Sequence, residues 1–451
     1  MQRDASERGR QLLSPKERAF LLFESPNAHM HVGGVFIFAG AAPARDQLMA
    51  HIGAGLDSLP RYRQRVSLDS AGAVPCWVDD SEFRLEDHVQ VTSLAPPGNE
   101  AQLQQVAATI FAAPLDRQRA LWEIWVIDGL EHGRFAVVGK IHHCVANGTD
   151  AVALLQVLLS PNPGEPNGDS IAAILPARKH RPSTAPTPPR PLPTRLIEAW
   201  RTAVAVLTRP LATPLNQPIG PRRRIAWTQL PAVDVQAVAA RLGGTANDAL
   251  LTVMTGALRT VLARRDVDLD GREFRALVPV ILPTRTPDPH ASVWLLPLPI
   301  REDDPRRRHA SVRDATVRFK AARPEAGVEG LLAWFDARGQ RLLSYGVHRL
   351  SRRLAYNVLA TNVAGPRRPL YLLGACLLAG YPLAPLFENQ GVAFAFLRYA
   401  QTWSVGITAD ADLVNDVTEI TAEVDAALDE LREAAAPSGA SQRGETSFKR
   451  P

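Results

Sequence analysis

The strongest constraint on this chain is a break in its middle. Across residues 160–193 prolines crowd together with Gly, Asn, Ser and Thr, and large apolar residues become scarce. Proline fixes φ and removes a backbone donor, so such a run resists both helix interiors and central strands. It reads as an extended, surface-running linker, and it divides the chain into two halves. Each half is long enough to be a domain with its own core. Composition permits this: 46% of the 451 residues are hydrophobic and 22% are charged, an ordinary globular balance.

Both halves mix helical and strand periodicities. In the first, Ser14 can cap a helix, Pro15 suits its first position, and Glu17 completes a capping box ahead of the apolar run 19–23. Strand-like runs follow at 31–38 and 76–78, then a helical pattern at 100–112. Residues 121–127 and 135–141 read as buried strands, and 150–159 as an apolar helix. In the second half a long helix is predicted from Thr245 or Ala246 towards Arg264. Strands are predicted at 274–282, 293–300, 356–363, 392–399 and 402–407, and a last amphipathic helix at 416–435. The predicted division is an N-terminal α/β domain at 1–160, a linker at 161–224, a C-terminal α/β domain at 225–436, and a polar, disordered tail at 437–451. Within the linker, residues 194–208 place Leu196, Ile197, Trp200, Val204 and Leu207 on one helical face. That face suits either a membrane interface, with Arg195, Arg201 and Arg209 at its flanks, or packing on the protein itself, which is the default for an amphipathic helix.

Charge and cysteine usage exclude several classes. The net charge of +5, from 51 basic and 46 acidic residues, suits mild attraction to anionic surfaces or anionic co-substrates and gives no case for nucleic acid. Cys76, Cys144 and Cys376 are far apart and show no CxxC spacing, which argues against a disulfide framework or zinc site and fits a reducing, cytoplasmic setting. The polar N-terminus lacks the apolar core of a signal peptide, and no run approaches the ~18 apolar residues of a membrane span. Work on lipids would have to be done from the membrane surface.

The chemistry concentrates at His142-His143-Cys144-Val145-Ala146-Asn147-Gly148, where a predicted strand ends and a helix begins. Neighbouring strand residues point to opposite faces, so one histidine can face a cleft while the other packs behind it. A histidine there can serve as a base near neutral pH. Adjacent histidines at a strand end are, taken alone, more often parts of a packed polar network. The opposed directions and the lack of an HxxxH partner give no metal-ligand geometry, and His143 would point away from the Cys144 thiol. GxSxG, GxxxxGK[ST] and post-strand GxGxxG motifs are absent from the sequence.

Five segments in order resemble the bacterial bifunctional wax ester synthase/diacylglycerol acyltransferases, relatives of the CoA-dependent acyltransferase superfamily. They are LSP at 13–15 through Glu24 with MHVG at 30–33, PLDRQRALWE at 114–123, HHCVANG at 142–148, TAND at 245–248, and NVAGP at 362–366. The resemblance implies an α/β fold of two chloramphenicol-acetyltransferase-like domains with mixed sheets, joined by a crossover linker, with the reaction pocket between them. It implies an acyltransferase that moves a fatty acyl group to a diacylglycerol or long-chain alcohol, with acyl-CoA as co-substrate and no cofactor or metal. The implied substrate class, together with the segment from Arg195 to Arg209, leads to an expected peripheral location at the inner membrane face or at lipid droplets. The resemblance makes His143 the general base beside His142, with Asn147 and Gly148 completing the catalytic motif. Asn247, Asn362 and Gly365 become candidate substrate-side residues; helix capping for Asn247 and a Gly-Pro turn for Asn362 and Gly365 explain them equally well. Arg117 and Trp122 are expected to order the strand before the motif.

Two departures stand out. Asn147 replaces the motif's Asp, which keeps shape but loses charge, so reduced activity or altered geometry is expected. Pro289-His290-Ala291-Ser292 stands where relatives usually carry a Gly-Asn pair, at the acceptor side or domain junction. A same-fold transferase with another acceptor, and a lipid- or acyl-CoA-binding relative without catalysis, remain open alternatives.

Overall fold

The structure, a computed structural model, describes residues 10–67, 75–145, 158–163, 210–270, 273–281, 291–322, 356–363 and 365–436. The predicted helices at 194–208 and, but for its last two residues, 150–159 lie outside this set. So do residues 164–209 of the linker, the tail at 437–451, and Asn147 and Gly148.

In chain order the first half contains β1 (Gln11–Leu12), α1 (Pro15–Phe23), β2 (His31–Ala39), α2 (Arg45–Leu56), β3 (Gln64–Ser67), β4 (Cys76–Asp79), β5 (Val89–Ser93), α3 (Glu100–Ala112), β6 (Trp122–Leu130) and β7 (Arg134–His142). The second contains β8 (Arg223–Pro231), α4 (Ala232–Leu242), α5 (Ala246–Ala263), β9 (Phe274–Ile281), β10 (Ala291–Leu298), α6 (Pro305–Ala322), β11 (Val358–Val363), β12 (Tyr371–Leu372), β13 (Ala375–Leu383), β14 (Val392–Tyr399), β15 (Thr402–Asp410) and α7 (Thr418–Ala435). The capping box read from the sequence forms at α1: Ser14 Oγ accepts from Glu17 N, and Ser14 N donates to Glu17 Oε2 at 2.6 Å.

Two six-stranded sheets dominate, in the orders β12-β13-β2-β7-β6-β5 and β10-β9-β11-β14-β15-β8. Both are mixed. β5 runs parallel to β6, and β11 runs parallel to β9 and β14, while the other pairs are antiparallel. Helices α4, α5 and α7 bury Val235, Leu250, Met254, Val424 and Leu428 against Phe394, Val405 and Ile407 of the second sheet. This is the helix-on-sheet layering that the alternating elements predict.

The halves are not sealed units. β12 and β13, from the second half of the sequence, complete the first half's sheet through β2. Sequence patterning does not show this, because Gly380 and Pro382 disguise β13 as a loop. The crossing strands then pack on β15. A Cβ on Gly406 would lie 1.9 Å from the Pro382 carbonyl oxygen, so only glycine lets the two backbones approach. Gly406→Ala should therefore destabilise by at least the ~1–3 kcal/mol of an overpacked core, because neither backbone can swing aside. A thermal melt checks this: Tm should fall by several degrees, and an unchanged Tm would refute it. Trp227 of β8 stacks on Tyr381 of β13 at 4.8 Å, and its Nε1 donates to Glu100 at the start of α3. A small apolar cluster of Ala28, Met30, Ile219, Leu359, Ala384 and Ala395 joins the halves beside the histidine motif.

Candidate active site

His142 is the last residue of β7, and His143 begins the turn after it. Three backbone bonds fix this corner. His142 N donates to Leu121 O (2.9 Å), His143 N to Met30 O (2.7 Å), and Val145 N to His142 O (2.9 Å). The two rings meet different neighbours. His143 lies flat on Phe20 of α1, with ring centroids 3.9 Å apart and planes within 10°. His142 is 2% exposed and meets His31 edge-on at 6.1 Å, its partner in the β2–β7 ladder. His29 stacks on His31 at 5.2 Å.

Burial governs the charge of this group. It pushes His143 down to about 4, with Lys16 and His142 adding to the effect. It pushes His142 down to about 3, helped by the Arg117 charge. His29 falls to about 4 through burial and then Arg223, Lys140 and His142, and His31 falls well below its ordinary value, chiefly by burial. All four rings are thus neutral at physiological pH. Lys140, buried beside them, pairs with Glu123 at 3.0 Å and donates to the Ile110 and Ala113 carbonyls at the end of α3. The Cys144 thiol is pushed far above its usual range by burial and the Glu17 charge, so it holds its proton and is no nucleophile.

His142 has a fixed tautomer. Its Nδ1 accepts from Cys144 N at 3.1 Å, so its proton sits on Nε2. That nitrogen lies 3.2 Å from Glu24 Oε1, close enough for a hydrogen bond but not aligned for one. The other oxygen of Glu24 accepts from Arg117. Arg117 therefore reaches back to the N-terminal helix, a partner that sequence reasoning did not identify. Trp122 is fully buried; its Nε1 donates to Tyr62 O at 2.8 Å and its ring stacks on His88.

In the second half, Asn362 Nδ2 on β11 donates to Asn247 Oδ1 in the first turn of α5, at 3.2 Å. Asn247 is not the helix cap. Thr245 and Asp248 form that capping box themselves. With its oxygen engaged, Asn247 keeps its amide N–H groups as donors at a helix N-terminus, where partial positive charge favours an anion. Gly365 follows β11 where a Cβ would lie 2.2 Å from the Arg398 carbonyl oxygen, so its role is close backbone passage. A cavity of about 400 Å³ bounded by Glu273, Phe274, Leu298 and Arg301 contains none of these groups.

Sequence reasoning missed Glu24 and Phe20 as partners of the motif. The signal was present but mute: four residues apart, they share one face of α1. What that face meets lies more than a hundred residues downstream.

Comparison with known proteins bears on the family and the fold. A model of the wax ester synthase/diacylglycerol acyltransferase catalytic domain matches residues 13–199 and 193–250, and one of the WS/DGAT C-terminal domain matches residues 290–432. A Mycobacterium tuberculosis protein named "Probable diacyglycerol O-acyltransferase tgs1" is 31% identical over 441 residues, covering 93% of this chain and 95% of its own. The solved wax ester synthase/diacylglycerol acyltransferase of Marinobacter aquaeolei VT8 superposes with a TM-score of 0.68 at 25% identity, over 94% of this chain and 100% of that one. The starter condensation domain of rhizomide synthetase, solved with C8-CoA and Leu-SNAC, has a TM-score of 0.60 over 97% of both chains; at 12% identity it speaks for the fold alone. Two mixed α/β layers, a histidine corner at the end of β7 and matches along nearly the whole sequence lead to one conclusion: the chain belongs to the wax ester synthase/diacylglycerol acyltransferase family and is an acyltransferase.

Proposed function

We propose that this enzyme transfers a fatty acyl group from acyl-CoA to the hydroxyl of a diacylglycerol or a long-chain alcohol, giving triacylglycerol or wax ester, with His143 as general base. The observation that carries the reading is the state of His143: a half-buried ring held neutral by loss of hydration, stacked on Phe20, its backbone held by Met30. Its Nδ1 has no hydrogen-bond partner among the described residues. The names of the mycobacterial and Marinobacter relatives support the substrate classes.

In this mechanism the acceptor hydroxyl gives its proton to the His143 ring as its oxygen attacks the thioester carbonyl. The tetrahedral oxyanion is steadied by donors, of which the Asn247 amide is the candidate. Collapse breaks the C–S bond, and the thiolate of CoA leaves and takes up the proton. The inert Cys144 supports direct transfer without an acyl-enzyme. Rapid mixing with acyl-CoA alone tests this: no burst of CoA should appear until acceptor is added, and a stoichiometric burst would require a covalent intermediate.

If Asn247 donates to the oxyanion and Asn362 orients it, Asn247→Ala should lower kcat on the order of 10²-fold and Asn362→Ala less, each with KM little changed. Equal kcat in both variants and wild type would remove the pair from the mechanism. A lipid acceptor supports work at a membrane or droplet surface; no described helix is long and apolar enough to cross a bilayer. Flotation with anionic liposomes should carry it upward; recovery wholly in the dense fraction would contradict this.

A further inference from the structure

Helix α1 touches both histidines of the motif with one face. Phe20 and Glu24 are four residues apart, which puts them one above the other on the helix surface. Phe20 covers the His143 ring, and Glu24, at the C-terminal cap of α1, reaches His142. The same helix reaches the other half of the molecule, because Phe23 meets Phe387 edge-on. Glu24 is well buried, its side chain 13% exposed, and each of its carboxylate oxygens faces its own cation or N–H: Oε2 takes Arg117, and Oε1 stands 3.2 Å from His142 Nε2.

Among the described residues His142 makes one other polar contact at its ring, and that contact matters for the corner. Its Nδ1 lone pair accepts the Cys144 amide, and this bond closes the turn that begins at His143. The bond requires an unprotonated Nδ1, hence a proton on Nε2, hence an acceptor at Nε2. Among the described residues Glu24 is the carboxylate within reach. We propose that Glu24 is a positioning residue: anchored by Arg117, its carboxylate selects the Nε2–H tautomer of His142 and so holds the turn that presents His143 to the reacting groups. The contact lies within reach but is not aligned for a hydrogen bond, and catalytic contacts commonly tighten when substrate binds. Arg117 acts through Glu24, and neither residue touches substrate. The inference rests on His143 being the reactive histidine.

The test compares Glu24→Gln and Glu24→Ala in the full-length enzyme, by steady-state kinetics and by NMR of protein labelled with ¹⁵N in its histidine rings, with the His142 signals assigned through His142→Gln. Glu24→Ala should lower kcat on the order of 10–100-fold, as loss of a carboxylate that orients a histidine does elsewhere, with KM for acyl-CoA unchanged. Glu24→Gln keeps an acceptor oxygen and should recover much of that loss. The His142 nitrogens should report a pure Nε2–H tautomer in wild type and a mixture in Glu24→Ala. A merely structural role would lower Tm and active fraction in both variants and leave the tautomer of the folded fraction unchanged; that result overturns the proposal. So does wild-type kcat in Glu24→Ala. The tautomer readout does not depend on catalysis. If His143→Ala retains activity while the tautomer shifts as described, the reading of His143 fails and the Glu24–His142 contact stands.

Discussion

His143→Ala should lower kcat by a factor of ~10²–10⁴, the usual worth of a positioned general base, and leave KM for acyl-CoA within about twofold. The effect should fall on kcat because the ring is used only when the acceptor proton moves. The fold should survive, since His143 is anchored by its backbone bond to Met30 and its ring stacks at the edge of α1 instead of filling a core. His142→Ala is a different change. It removes the acceptor of the Cys144 amide and leaves a buried N–H unpaired, so it should cost stability as well as rate. Melting curves for both variants beside their kcat values separate the two effects. Equal loss of Tm in both would mean that His143, too, is structural.

Acid should unfold this protein earlier than an average domain. An unfolded histidine titrates near 6.5, whereas burial holds His143 near 4 and His142 near 3 in the folded chain. Above pH 6.5 neither state binds the proton and these groups contribute nothing to the pH dependence. Between pH 6.5 and the folded values the unfolded chain binds protons that the folded chain refuses, so stability falls as pH falls. At pH 5 each of the two costs about 2 kcal/mol, and His31, also held well below its ordinary value, adds in the same direction. Against a total stability of ~5–15 kcal/mol this is large. Melting at pH 7 and pH 5 should show a fall in Tm of about 5 °C. While the protein stays folded, kcat should lack an inflection near 6.5, because His143 remains unprotonated and able to accept a proton down to about pH 4. A Tm that is flat across this range, or an acid limb of kcat near 6.5, would show that the histidines are open to water.

Much of the scaffold was legible in the sequence because it is locally encoded. The α1 capping box, the strands beginning or ending near 31, 122, 142, 274 and 392, and the long α5 all follow from spacing and caps. Elements whose residues contradict their state were not legible. β13 carries a glycine and a proline yet lies inside a sheet, and α6 is so rich in arginine that its apolar face is thin. The pairing of β13 with β2 depends on residues some 340 positions apart, which no local pattern records. The site divides in the same way. The histidine pair stands out in the sequence and lies at the corner of the first sheet; Asn247 and Asn362 form one contact. Helix capping, the plainer reading of Asn247, gives way because Thr245 already does that work. Asn147 and Gly148 lie outside the described residues. The grip of α1 on the motif was invisible, because Phe20 and Glu24 look like ordinary helix residues until their partners are placed beside them.

The most direct test of the proposed reaction is to incubate the purified enzyme with radiolabelled palmitoyl-CoA and either diolein or hexadecanol, with His143→Ala alongside, and to separate the lipids. Label in triacylglycerol or wax ester from the wild type, lost in the variant, is the expected result, and it would show that Asn147 is tolerated in place of the motif's aspartate. Binding of palmitoyl-CoA with no neutral-lipid product from either acceptor, or equal product from both proteins, would contradict it.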